Sequence, residues 1–322
     1  MRYFCTLFDK NYLYQGLALF KSLEASCSEF TLYALCMDEV AYNLIRKTGR
    51  LNLIPISLAK IETDESRAIK PRITRWQYCA LWQPLICLYI LDQYKVEMIT
   101  YLDADIMFFN DPEILFKELD NYSASVVLHR YTPGFDKTAT SGRFCVQFNA
   151  FRNNKEAREV LQYWKECCLK LSRKKPGYFL GQLSLDSWPV KFAGVRVIQH
   201  LGAGVAPWNI QQYKITENNE KVMVNGSPIV FYHFHEYAWG IDGRPFLSNY
   251  PLSDRAVKYI YQPYTTILSE IEAWVQSLDP AFHYRKEVPK PNLRGILISY
   301  LPDGIRRYLR EILKPKLKKK GT

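Results

Sequence analysis

The sequence has 322 residues, 48% of them apolar and 15% aromatic, enough to bury a large core and too apolar for an intrinsically disordered chain. Its net charge of +11 is unevenly placed: from Arg285 onward there are 12 Lys/Arg against 3 Asp/Glu, whereas the first 284 residues hold 31 against 29. A nearly neutral body with a basic tail, and no interleaving of aromatic and basic residues, argues against nucleic acid as the partner.

In chain order, Arg2 to Phe8 is an apolar run ending at Asp9, and Tyr12 to Leu23 carries apolar residues at helical spacing. Phe30 to Met37 reads as a second strand, Asp38 as the cap of a helix running through Lys47, and Leu51 to Leu58 as a third strand. A polar segment, Glu62 to Arg75, precedes a helix from about Trp76 to Tyr94, and Val96 to Leu102 forms an apolar strand that stops at Asp103. Alternation of this kind predicts an α/β fold with a mainly parallel central sheet flanked by helices and ligands at the carboxyl ends of its strands. Further strands are expected at Ser123 to Leu128, Cys145 to Phe151, Val195 to Ile198 and Ile229 to Phe234, with a helix from Lys155 to about Leu171. The body, residues 1–285, is read as one catalytic domain and residues 286–322 as a basic tail.

The eight cysteines have no CxxC spacing and lie mostly in apolar runs, which favours core thiols in a reducing compartment. The N-terminus reaches a charged turn within nine residues and lacks a small-residue cleavage site, so a signal peptide is not expected. The longest apolar stretch, Ala80 to Leu91, contains Gln83 and Pro84 and is well short of the ~20 residues that span a bilayer. A cytoplasmic location follows as the expectation.

Chemistry concentrates in ITYLDADIMFFNDP, where Asp103 and Asp105 follow an apolar strand. Two acids running straight out of the core are costly without a metal or a base beside them, and a divalent ion bridging carboxylate and phosphate oxygens is one solution. An Asp-rich turn before Asp111-Pro112 is the plain alternative. In FYHFHEY, His233 and His235 alternate out of an apolar run, and imidazole beside carboxylate suits Mn²⁺ better than Ca²⁺; either ring is equally read as a structural residue.

Taken together, TLFDKNYLYQGLALFKSL, YLDADIMFFNDP, GRFCVQFNAFRNN, GYFLGQLSLDSWP, HLGAGVAPWN and FYHFH, in that order over residues 1 to about 240, resemble the GT-A (Rossmann-like) glycosyltransferases, in particular bacterial sugar transferases related to glycosyltransferase family 8. The resemblance implies that Asp103 and Asp105, with Ala104 between them, hold Mn²⁺ or Mg²⁺ and the donor diphosphate, and that His233 is the third protein ligand. It implies that Thr6, Asp9 and Tyr12 hold the base and ribose of a nucleotide-sugar donor, with a UDP-sugar favoured. Gly202 to Gly204 permits close backbone approach to phosphate or sugar, or is an ordinary tight turn; Trp208 and Asn209 line the sugar cleft or are core.

Two positions depart from the family pattern. Gly181-Gln182 stands where an Asp-Gln pair is usual, leaving Gln182, Asp186 and Glu236 as candidates for catalysis on the acceptor side. Glu236 itself occupies a position where Gly is common, and the Lys-Pro-Trp that ends this motif is absent, so contact with the departing phosphate passes to Lys70, Arg72 or Arg75, which are otherwise solvated surface. Beyond Asn292, Ile305, Tyr308, Leu309, Ile312 and Leu313 share one helical face and KPKLKKK follows, a pattern suited to the inner face of an anionic membrane or to a helix packed on the body. The sum is a metal-dependent hexosyltransferase serving a saccharide or lipid-linked acceptor in surface polysaccharide or lipopolysaccharide synthesis, with retention implied by the family. The alternative is a non-catalytic nucleotide-sugar or glycan-binding protein with a degenerate GT-A site.

Overall fold

The computed structural model describes residues 1–170 and 180–285. The first half follows the predicted alternation. Strands β1 (Arg2–Phe8), β2 (Phe30–Cys36) and β3 (Leu53–Ser57) lie parallel, and β4 (Met98–Leu102) joins β1 in parallel on its other side. Two of the longer helices between them start at side-chain caps. Asp38 accepts from the Ala41 N–H to open the helix Glu39–Lys47, and Thr74 and Gln77 form a reciprocal capping box at the helix Arg75–Gln93. Pro84 sits inside that helix and cannot donate to the carbonyl of Ala80; the Cys168 thiol takes up the vacancy at 3.4 Å.

After β4 the sheet changes character. A short strand β5 (Ile106–Phe108) leaves it, while β6 (Ala124–Leu128), β7 (Phe144–Cys145) and β8 (Phe148–Arg152) extend it. With β9 (Val195–Ile198) beside β6, the sheet has eight strands, ordered β3-β2-β1-β4-β8-β6-β7. β8 is antiparallel to both β4 and β6, so the sheet is mainly parallel on one side and mixed on the other. The single strand expected from Cys145 to Phe151 is therefore two, with a break at Val146 and Gln147. The helix Lys155–Lys170 covers this region and packs on the helix Arg75–Gln93.

Alternate residues of the central strands enter opposite cores: Phe4, Leu32 and Leu102 on one face, Cys5, Tyr33 and Tyr101 on the other. Both faces are thus sealed, and the sheet's polar opportunities lie at its strand ends.

The remainder was less legible. β10 (Ile215–Asn218), β11 (Lys221–Val224) and β12 (Ser227–Pro228) make a small antiparallel sheet, and β13 (Phe231–His233) pairs with β5 rather than with the main sheet. A helix at Gln262–Leu278, absent from the expected elements, buries Tyr264, Leu268, Ile271 and Val275 against the first core. The expected tail helix lies outside the described residues. No helix among those described is long and apolar enough to cross a membrane.

The eight cysteines are all free, six buried and two half-buried. Cys5 and Cys87 face each other across the core with sulfurs 3.7 Å apart.

Candidate active site

The site forms where β4 ends. Asp103 begins the turn between β4 and β5, its N–H bonded to the Gln147 carbonyl at 3.2 Å, and Asp105 closes it, its carbonyl accepting the Phe234 N–H at 2.8 Å. β5 pairs with β13 so that Ile106 lies opposite His233. A ladder between two short strands thus carries a histidine from late in the chain to the two aspartates.

The side chains are held individually. Tyr101 donates to Asp103 Oδ1 at 3.1 Å, and the Gln83 amide donates to the Tyr101 hydroxyl at 3.2 Å. Asp105 Oδ1 lies 3.1 Å from His233 Nε2, and His233 Nδ1 lies 2.7 Å from Gln147 Oε1. Gln147 therefore fixes the imidazole with its Nδ1–H outward to the amide and its Nε2 toward the carboxylates. His235 follows β13, its ring centre 5.9 Å from that of His233, and Trp208 packs edge-on against both rings.

Proximity shapes the charges. Burial, only partly offset by His233 and reinforced by Asp105, pushes the Asp103 carboxyl up to about 6. Burial also opposes charge on Asp105, but His233 outweighs it and holds that carboxyl below its usual value. Burial opposes charge on His233, and Asp105 in turn raises it well above the ordinary imidazole range. Asp105 and His233 are an ion pair with Asp103 beside it as the weaker acid, and a divalent cation that displaces the imidazole proton would find two carboxylates and a nitrogen donor together. The ligating atoms of Asp103, Cys145 and His233 lie within 4.8 Å of one another.

Of the other residues singled out in the sequence, Tyr12 belongs to this neighbourhood: desolvation of its phenol, then the charge of Asp105, with smaller contributions from Tyr284, Asp9 and Asp103, raise its pKa. Asp9 is buried, caps its own turn through the Asn11 N–H at 2.8 Å, and pairs with Arg75, which also lies 4.0 Å from Asp38. Arg75 thus reaches the end of β1, while Lys70 pairs with Glu62 at 2.9 Å and Arg72 is exposed. Thr6 is fully buried within β1, beside the strand that ends at Asp103, and its hydroxyl has no partner there. Ala104 is buried between the two aspartates.

Gly202 makes its close approach to protein backbone, since a Cβ there would lie 1.9 Å from the Pro228 carbonyl oxygen. Trp208 donates to the His129 carbonyl at 3.0 Å, and Asn209 donates to the same carbonyl at 2.7 Å. Asp186 Oδ1 accepts the backbone N–H groups of Arg143 and Phe144 at 2.7 and 3.3 Å. The Gln182 amide donates to the Ser141 carbonyl at 2.7 Å and lies 3.4 Å from His129 Nε2. Both therefore grip the segment leading into β7. Glu236 adopts φ 68, the left-handed conformation that explains why glycine suits this position, and its carboxylate holds the Asn249 amide at 3.0 Å.

Sequence reasoning missed Tyr101, His129, Cys145 and Gln147. The last two lie two residues apart in FCVQF, where the turn at Val146 and Gln147 separates β7 from β8.

No protein-family model matches the chain. Two proteins of Bacillus subtilis (strain 168), the uncharacterized YfnD and YfnF, are 29% identical to it over 294 and 295 residues, covering 87% of this chain and 92% and 96% of theirs. Among solved structures, an active-site mutant of LgtC superposes with a TM-score of 0.54 at 14% identity, over 83% of this chain and 95% of that one. The galactosyltransferase LgtC in complex with donor and acceptor sugar analogues gives 0.52 with the same identity and coverage. The bifunctional glycosyltransferase WbbM gives 0.51 at 11% identity, over 87% of this chain and 52% of its own. The fold is that of the GT-A glycosyltransferases.

Proposed function

We propose that the chain is a metal-dependent glycosyltransferase related to family 8, moving a sugar from a nucleotide diphosphate donor to a saccharide or lipid-linked acceptor. The observation that carries this reading is the convergence of Asp103, Asp105 and His233 at the carboxyl end of β4 in a glycosyltransferase fold. A divalent ion held there, Mn²⁺ or Mg²⁺ on the family pattern, would supply charge to the leaving diphosphate. Asp105 and His233 would bind and orient it, while Tyr101 and Gln147 keep a carboxylate and an imidazole aimed at one point.

Donor binding is assigned to the ends of β1 and β4, with Asp9 and Tyr12 toward base and ribose and a UDP-sugar as the favoured donor. Asp186, Gln182 and Glu236 are the candidates on the acceptor side. Asp186 already accepts two backbone N–H groups, which favours a positioning role for it. Hexosyl transfer with retention, a place in surface polysaccharide or lipopolysaccharide synthesis, and attachment of residues 286–322 to the inner membrane surface complete the reading.

Gly181, buried where related sequences place an aspartate, favours a second reading in which the site binds a nucleotide sugar without transferring it. Calorimetric binding of UDP and UDP-sugars with Mn²⁺, Mg²⁺ or Zn²⁺, beside assays of transfer and hydrolysis, separates the two. Metal-dependent donor binding lost in Asp105→Ala is expected of both, turnover by the parent only of the first, and gain of turnover in Gly181→Asp of the second. A parent that binds no nucleotide sugar under any of these ions refutes both.

A further inference from the structure

One group at the end of β4 is not used by a site of two carboxylates and an imidazole. Cys145 is 2% exposed and lies in β7 opposite Val127 of β6. Its approach is fixed by Asp186, whose Oδ1 takes the two preceding backbone N–H groups. Two residues on, Gln147 has no exposure and holds His233 Nδ1.

The other buried thiols have structural surroundings. Cys5 meets Cys87, Cys27 meets the Glu29 carbonyl at 3.8 Å, Cys36 meets the Ala34 carbonyl at 3.5 Å, and Cys168 completes the helix at Ala80. Cys145 alone among the described cysteines shares a cluster with an acid and an imidazole, the ligating atoms of all three lying within 4.8 Å. Sulfur sits about 2.3 Å and imidazole nitrogen about 2.1 Å from a bound Zn²⁺, so at the tetrahedral angle two such donors on one ion are about 3.6 Å apart. The cluster, whose ligating atoms lie within 4.8 Å, closes on an ion with side-chain shifts of up to about 1 Å.

We propose that Cys145 is itself a metal ligand, so that the ion is held by the Asp103 carboxylate, the His233 imidazole and the Cys145 thiolate, with Asp105 alongside. The proposal rests on the metal-binding reading of this site and sharpens its ligand class: a thiolate selects Zn²⁺ or Co²⁺ over Mn²⁺ and Mg²⁺. On binding, the Cys145 S–H and His233 Nε2–H bonds break, metal–sulfur and metal–nitrogen bonds form, and both protons leave to solvent. His233 ligates through Nε2, because Gln147 occupies Nδ1–H.

The test is a titration of the metal-stripped full chain with Co²⁺ under anaerobic, reducing conditions, read by absorption. The parent is expected to develop a thiolate-to-cobalt charge-transfer band in the near ultraviolet together with visible d–d bands. Cys145→Ser is expected to keep d–d bands, lose the ultraviolet band, and lower the Zn²⁺-over-Mg²⁺ preference by roughly tenfold or more. Cys145→Ala repeats the measurement, and thermal unfolding confirms that each variant is folded. If the parent shows d–d bands without the charge-transfer band, and both variants bind Zn²⁺ like the parent, the thiolate ligand is overturned while the metal site stands. If neither the parent nor His233→Ala binds Co²⁺, the metal reading falls and this proposal with it.

Discussion

Gly202→Ala provides a sharp mechanical test of how the site is assembled. The added Cβ would lie 1.9 Å from the Pro228 carbonyl oxygen, 2.9 Å from its carbon and 3.0 Å from the Val230 nitrogen, all backbone atoms that no rotamer change can move. The two segments must part by roughly 1 Å to reach tolerable contact. The Gly202 carbonyl also accepts the N–H groups of Val230 and Phe231 at 3.0 and 3.3 Å, so separation weakens both. Overpacking at about 1–3 kcal/mol and two backbone hydrogen bonds at about 1 kcal/mol each sum to about 3–5 kcal/mol. For a chain of this size that corresponds to a fall in melting temperature of about 4–8 °C. Because β13 starts at Phe231 and carries His233, affinity for Co²⁺ should fall as well. Gly226→Ala is the control: its φ is +83° but a Cβ there meets nothing within 4 Å, so only the left-handed strain of about 1–2 kcal/mol applies. Calorimetric melting of the three proteins decides, and a Gly202→Ala variant melting no lower than Gly226→Ala would refute the reasoning.

His129 gives a pH signature. Burial pushes its imidazole down to about 3, against about 6.5 in an unfolded chain, so the neutral ring stabilises the fold fully above pH 6.5 and this contribution is lost as pH falls toward 3. About 2–3 kcal/mol should disappear between pH 7 and pH 4.5, and urea unfolding of His129→Gln should show a correspondingly shallower dependence than the parent; parallel curves would contradict it. Gly204→Ala, at φ +77° and with its Cβ 2.6 Å from Val127 Cγ1 and 2.8 Å from Gln147 Nε2, should push Gln147 off His233 and weaken Co²⁺ binding by about 10–100-fold, as should Gln147→Ala. Unchanged cobalt titrations in both would remove Gln147 from its orienting role. Asp186→Ala should cost about 1–3 kcal/mol by orphaning the Arg143 and Phe144 N–H groups, whereas Asp186→Asn, which keeps an acceptor, should retain most stability and turnover. Loss of turnover without loss of stability in Asp186→Asn would instead make the carboxylate a catalytic group.

The parallel half of the sheet was legible because its strands are largely apolar runs and its helices carry local signals, as where Asp38 caps the helix Glu39–Lys47. The aspartates were legible for the same reason, as acids directly behind such a run. Pairings between distant short segments were not. Nothing local to Ile106 announces that it lies opposite His233, and the two-residue strand at Phe144–Cys145 has no period of its own. Thr6 and Gly202 have structural surroundings that their motifs do not announce. Both sit in family-like motifs, yet one is enclosed in its strand and the other is required by a backbone crossing.

The β5–β13 ladder also dictates when the site comes into being. Synthesis from the N-terminus completes β1 through β4, and with them Asp103 and Asp105, long before His233 leaves the ribosome. Until then the buried acids have no imidazole to pair with, and that ladder has only one of its strands. High contact order of this kind makes the closing step slow relative to formation of the local βα units. A chain halted before residue 231 would carry both carboxylates and the Cys145 thiol on a sheet able to form, yet remain unable to assemble the cluster. The site is thus assembled only once residue 233 has joined the fold, a consequence of topology rather than of any one residue.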